Sequence, residues 1–166
     1  GGNSTCWGNY DIGRIGDFVD IQVGDDFGCA IDTDGIVDCW GGEEWGQTYP
    51  PNHEYIKVWA GKDHSCALTT IGKLICWGKD QLGQSSPPTG VYSDMDVGYN
   101  HNCAVDINGN VQCWGSNTDG QTNVPTLSSA AVSVSCGFNH CCAVDDNGTL
   151  QCWGNNDNDK SIVPSI

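Results

Sequence analysis

Hydrophobic and polar positions alternate in short runs, and one run recurs four times. Residues 103–115 read Cys-Ala-Val-Asp-Ile-Asn-Gly-Asn-Val-Gln-Cys-Trp-Gly, and near-copies fill 29–41, 66–78 and 142–154. In each copy two cysteines stand ten residues apart, and a glycine (Gly35, Gly72, Gly109, Gly148) lies four before the second. Cysteine and aliphatic residues share one face of both arms, which is strand periodicity. A three-residue loop, Ile107-Asn108-Gly109, sets Val105 opposite Val111 and Cys103 opposite Cys113, with Gly109 in the left-handed position. Directly opposed residues in a hairpin are close enough to be bridged. The spacing therefore predicts four hairpin disulfides: Cys29–Cys39, Cys66–Cys76, Cys103–Cys113 and Cys142–Cys152. Each small ring stabilises by roughly 2–3 kcal/mol.

The repeat extends past the hairpin. Gly24, Gly61, Gly98 and Gly137 each precede the first cysteine by five. Trp7, Trp40, Trp77, Trp114 and Trp153 follow the second cysteines and read as packing between units. Six residues later come Gly13, Gly46, Gly83 and Gly120, with Asp159 in the last copy. Gln47, Gln84 and Gln121 follow the last three of these glycines. A period of about 37 residues marks a repeat architecture. Short first strands are expected at 19–23, 56–60, 95–97 and 132–135, each leading into a hairpin and then a Gly-, Asn- and Pro-rich loop. No stretch carries an amphipathic helix pattern. The chain reads as all-β and as one repeat domain over 1–166. It holds a half unit at 1–18 and full units at about 19–55, 56–93, 94–130 and 131–166.

Eleven cysteines in this register point to an oxidising, extracellular compartment and a secreted protein. The net charge of −15, from 21 acidic and 6 basic residues, repels phosphate backbones and anionic membranes. Nucleic-acid binding is thus disfavoured, and no apolar run has the length to insert in a membrane. The chain starts at Gly1 without an initiator methionine, so a processed form or a fragment is expected.

The unit Gly-x-x-His-x-Cys-Ala-Val…Asn-Gly-x-Val-x-Cys-Trp-Gly-x-Asn-x-x-Gly-Gln resembles the regulator of chromosome condensation repeat family over nearly the whole chain. Within it, the likeness is to the secreted, cysteine-containing bacterial type. The resemblance implies β-propeller blades, commonly seven, that bind proteins. The exchange-factor activity of the name-giving member is not carried over, because the acidic charge and the cysteines place this chain elsewhere. Seven such units need roughly 260 residues. Three arrangements stay open: a small closed ring, a piece of a longer ring, and an open arc completed by neighbours.

Three cysteines fall outside the hairpin pairs. Cys6 lacks a partner strand, and Cys136 and Cys141 occur only in the last unit. Cys6 joins Cys136 or Cys141, within the chain or between molecules, or else Cys136 and Cys141 pair and leave Cys6 for an outside partner. His64, His101 and His140 occupy one repeat position; a structural role outweighs a shared metal, since Phe27 stands there in the first unit. Asp32-Thr-Asp34-Gly35 and Asp145-Asp146-Asn147-Gly148 are partial calcium loops without the closing glutamate, so no cofactor is expected beyond weak calcium on an acidic surface. His140-Cys141-Cys142 is no catalytic pair, because strand neighbours point to opposite faces. Trp45, Tyr49, Tyr55, Trp59, Tyr92 and Tyr99 lie outside the consensus and are expected to form a contact surface. Asn3 and Asn147 begin acceptor sequons for N-glycans. The expectation is a non-enzymatic extracellular structural protein that self-associates head to tail, with a filament as one outcome. The alternative is a monomeric binding module for a protein or glycan, like the secreted β-lactamase inhibitors with this type of repeat.

Overall fold

The computed structural model describes residues 17–163. They form twelve strands in four antiparallel three-stranded meanders. Blade 1 is β1 (Phe18–Val23), β2 (Phe27–Asp32) and β3 (Val37–Gly41); blade 2 is β4 (Tyr55–Ala60), β5 (His64–Thr69) and β6 (Leu74–Gly78). Blade 3 is β7 (Tyr92–Val97), β8 (His101–Asp106) and β9 (Val111–Gly115); blade 4 is β10 (Ala131–Cys136), β11 (His140–Asp145) and β12 (Leu150–Gly154). The described residues hold no α-helix, only a 3₁₀ turn at Asp157–Asp159. Consecutive blades touch, and the four sheets do not close a ring, so the arrangement is an open arc of propeller-type blades.

The hairpin register follows from glycine and cysteine. Cys103 stands opposite Cys113 and Val105 opposite Val111, and Gly109 turns the chain at φ +80°. The sulfurs of Cys29–Cys39, Cys66–Cys76, Cys103–Cys113 and Cys142–Cys152 lie 2.01 to 2.09 Å apart, at disulfide distance. The first strands run one to three residues beyond the expected bounds. In β7 the extension takes in a bulge between Tyr92 and Asp94. The acidic residues there, poor strand formers, are held by the next blade: Asp94 Oδ2 accepts from Val134 N at 3.1 Å, and Asp96 Oδ2 from Cys136 N at 2.7 Å. At the end of the repeat, Asp159 stands where other units have Gly46, Gly83 and Gly120 (φ +77° to +78°), and it adopts φ +60°. Aspartate tolerates the left-handed region better than most residues.

The core lies in the seams between blades. The trailing face of blade 1 (Phe27, Cys29, Ile31, Val37) packs on the leading face of blade 2 (Tyr55, Val58, Ala67, Trp77). Blades 2 and 3 repeat the joint with Cys66, Leu68 and Leu74 against Tyr92, Met95, Ala104 and Trp114. Blades 3 and 4 do so with Cys103 and Val105 against Val134, Cys141, Ala143 and Trp153. Strands β2, β5 and β8 are consequently buried on both faces. Each seam is also tied by a glutamine in the loop that follows the preceding blade. Trp77 Nε1 donates to the Gln47 carbonyl at 2.8 Å, Trp114 Nε1 to that of Gln84 at 3.1 Å, and Trp153 Nε1 to that of Gln121 at 2.9 Å. The glutamine side chains are buried, and their Oε1 atoms accept from Trp45 N, Leu82 N and Asp119 N.

Trp114→Ala removes both the indole bond and the seam contact. The expected cost is about 3–5 kcal/mol, read as a lower urea midpoint. Trp45→Ala, on a half-buried loop ring, should stay within about 1 kcal/mol of the parent.

Candidate interaction surface

Tight turns join the first and second strands of every blade. Gly24, Gly61, Gly98 and Gly137 each donate N–H to the carbonyl of Phe27, His64, His101 or His140, all at 2.8 Å. The ring at that position lies over the glycine. A Cβ would meet Phe27 Cε1 at 2.3 Å, His64 Cε1 at 2.5 Å, His101 Cε1 at 2.1 Å and His140 Cε1 at 2.4 Å. Close approach of a ring therefore fixes glycine here.

His64 and His101 are fully buried and reach into different seams. His64 Nε2 lies 2.9 Å from Asn102 Oδ1, and His101 Nε2 lies 3.0 Å from Cys141 Sγ. The three equivalent histidines are thus not gathered on one point. Burial lowers the pKa of His64. Burial, then repulsion from His64 and His140, pushes His101 down to about 4. Both rings are neutral links between blades near pH 7.

The residue after each turn glycine is exposed (Asp25, Phe138) or half-buried (Lys62, Tyr99). The turns are stitched in series, with Lys62 N donating to the Tyr99 carbonyl at 3.2 Å and Tyr99 N to that of Phe138 at 3.3 Å. Tyr99 and Phe138 stack with centroids 3.9 Å apart, and Lys62 Nζ sits 4.9 Å from the Tyr99 centroid. The Tyr99 hydroxyl and then Asp63 raise the pKa of Lys62. Together with Val23, Ala60 and Val97 these residues line a groove of about 260 Å³.

The extra cysteines take the intrachain alternative. Cys136 and Cys141 face each other across β10 and β11 with sulfurs 2.06 Å apart, so neither reaches for Cys6. Cys6 lies outside the described residues, as does Asn3.

The model of the regulator of chromosome condensation (RCC1) repeat matches residues 18–47, 55–84, 92–121 and 131–159. The chain belongs to the RCC1 repeat family. No curated protein matches it. Among solved structures it is similar to the CRINKLY WD40 ectodomain of the Arabidopsis thaliana receptor kinase ACR4, at TM-score 0.70 and 22% identity, covering 91% of this chain and 53% of that one. It is also similar to human WBSCR16 (TM-score 0.75, 18% identity, 86% and 49% covered). Prp20p from Saccharomyces cerevisiae gives TM-score 0.71 and 20% identity, with 90% and 46% covered. At these identities the likeness is one of fold. The chain spans about half the length of these structures.

On this RCC1 frame the expected contact residues divide. Tyr49 is exposed, with its hydroxyl donating to Glu43 Oε2 at 2.6 Å. Trp45 is half-buried under Lys79 Nζ, 4.6 Å from its ring, and Tyr99 lines the groove. Tyr55, Trp59 and Tyr92 are corrected: they are buried in seams. Tyr55 and Tyr92 open the inner strands, face the preceding blade and donate their hydroxyls to the carbonyls of Pro51 and Pro88. Sequence reasoning missed Lys62 and Phe138. The signal was that the position after an unvarying glycine differs in every unit.

The acidic tips of the RCC1 hairpins use their own carboxylates. Asp32 Oδ1 accepts from Asp34 N and Ile36 N, and Asp145 Oδ1 from Asn147 N and Thr149 N. Hydrogen bonds, first from Ser128, lower the pKa of Asp145, and bonds from Asn110 lower that of Asp106. In β11, Cys141 faces blade 3 and pairs with Cys136, while Cys142 faces away and pairs with Cys152. Among the described residues no free thiol is left beside His140.

Two substitutions test this site. Gly98→Ala drives a methyl into His101 and should cost about 1–3 kcal/mol. The second concerns pH. Because the folded pKa of His101 is depressed, the unfolded chain takes up the proton first, so its contribution is complete above pH 6.5 and falls as pH drops towards about 4. The loss is roughly 3 kcal/mol by pH 4. His101→Phe, with Phe27 as precedent, should flatten the melting temperature of the oxidised protein between pH 6.5 and 4; an unchanged pH slope would contradict this reading.

Proposed function

We propose that this RCC1-type protein is a non-enzymatic extracellular assembly module whose arc binds a second copy head to tail. One observation carries the reading. Ile21 on blade 1 is 45% exposed, whereas its repeat equivalents Val58, Met95 and Val134 are 0%, 1% and 5% exposed in seams. At the other end β11 alternates between buried and half-buried residues, with His140, Cys142 and Val144 only half-buried where the first five residues of β2, β5 and β8 are all buried. The two faces are the halves of a joint that the molecule already makes three times, so a further blade fits between them without new chemistry.

The cysteine pairs at disulfide distance and the likeness to receptor-kinase ectodomains support an extracellular setting. Among the described residues no helix is long and apolar enough to cross a membrane. Asn147, the better placed sequon asparagine, sits exposed at a hairpin tip. The charge of −15 favours partners other than nucleic acid.

A second reading has its own support. The groove of Lys62, Tyr99 and Phe138 offers stacked aromatic surface to a protein or glycan partner. Proteins of this fold bind proteins: Kap60 is bound to yeast RCC1, and Prp20p binds Gsp1p and histones.

Light scattering after size exclusion separates the two. The 166-residue chain should give masses that are multiples of 17.7 kDa and grow with concentration. Ile21→Asp with Val144→Asp should return it to one chain with an unchanged circular dichroism spectrum. A monomer at every concentration would sink self-association, and Phe138→Ala would then be tested for loss of a captured partner.

A further inference from the structure

Unit 4 departs from the other three at two places that meet in space. Cys136 ends β10 where the other inner strands end in Val23, Ala60 and Val97. Cys141 is the second residue of β11, where the others have Gly28, Ser65 and Asn102. Those blades keep the same register without either cysteine, so the fold does not require them. Cys141 is fully buried against blade 3, and Cys136 is half-buried. His101 is fully buried, with Nε2 3.0 Å from Cys141 Sγ and Nδ1 without a partner. A His101 ring nitrogen and the two sulfurs lie within 4.8 Å of one another. Two thiolates and an imidazole are a zinc-type donor set. Donors on tetrahedral zinc stand roughly 3–4 Å apart, so the cluster needs only small shifts once the sulfurs separate.

We propose that His101, Cys136 and Cys141 form a redox-gated site for a zinc-class cation in the seam between blades 3 and 4. In the oxidised chain the two sulfurs are bonded to each other. A small external thiol attacks Sγ of Cys136, the less buried cysteine, and Cys141 leaves as a thiolate beside His101 Nε2. A second external thiol releases Cys136. The balance is one protein disulfide and two thiols giving a protein dithiol and one external disulfide, a two-electron reduction. The cation then displaces the two thiol protons and takes the imidazole lone pair. The site lies within one chain and does not rest on head-to-tail assembly.

The test is zinc and cobalt titration of the whole chain before and after limited reduction, with freed thiols located by mass mapping. The oxidised chain should bind neither ion. The chain reduced at Cys136 and Cys141 should bind one zinc, and cobalt should give a thiolate charge-transfer band. Cys136→Val with Cys141→Asn rebuilds the unit 3 pattern, in which an asparagine meets the histidine, and should abolish binding while keeping the fold. His101→Phe should weaken binding by at least about tenfold. Stoichiometric zinc on the double variant would overturn the proposal. So would no binding by the folded, reduced chain, the opening of hairpin pairs ahead of Cys136–Cys141, or unfolding when that one pair is reduced.

Discussion

The structure depends on the joint between consecutive blades. A three-stranded meander standing alone has two wet faces and little core. Here the trailing face of one blade, with its cysteine pair and aliphatic residues, is covered by the tyrosine or alanine, aliphatic and tryptophan positions of the next. The indole bond to a glutamine carbonyl fixes the distance between them. That glutamine is buried, and its side-chain oxygen accepts a backbone N–H of its own loop. Packing and hydrogen bonding therefore specify the same spacing, and the loop that carries the glutamine has one shape in three units.

Part of the acidic excess is structural. The inner edges of blades 2 and 4 would otherwise present unpaired N–H groups. Asp20 accepts from Val58 N, Asp94 from Val134 N and Asp96 from Cys136 N, so carboxylates cover those edges. Asp32, Asp106 and Asp145 close the hairpin tips in the same manner. Lys57 replaces the edge carboxylate in blade 2 and pairs with Asp94 instead.

The hairpins were legible because cysteine spacing and the tip glycine fix strand register independently and agree. The structural part of the histidines was legible from Phe27, since a ring lies over the turn glycine in all four units. Tyr55, Trp59 and Tyr92 were read as surface because they fall outside the repeat consensus, but a seam position can be filled by different side chains in different units. The Cys136–Cys141 pair stood open because pairing across the turn depends on β10 reaching Cys136, one residue past the expected strand end. Lys62 and Phe138 carry no motif; only the side-by-side placement of successive turns makes them neighbours.

Four blades share three seams, and each seam is a near-copy of the last. Stability in such a row grows in proportion to the number of joints and not with the bulk of a single core. A duplicated unit inserted between blades 2 and 3 would meet familiar surfaces on both sides. Arc length is therefore a quantity that gene duplication can change by whole blades, leaving the chemistry of every existing joint as it was.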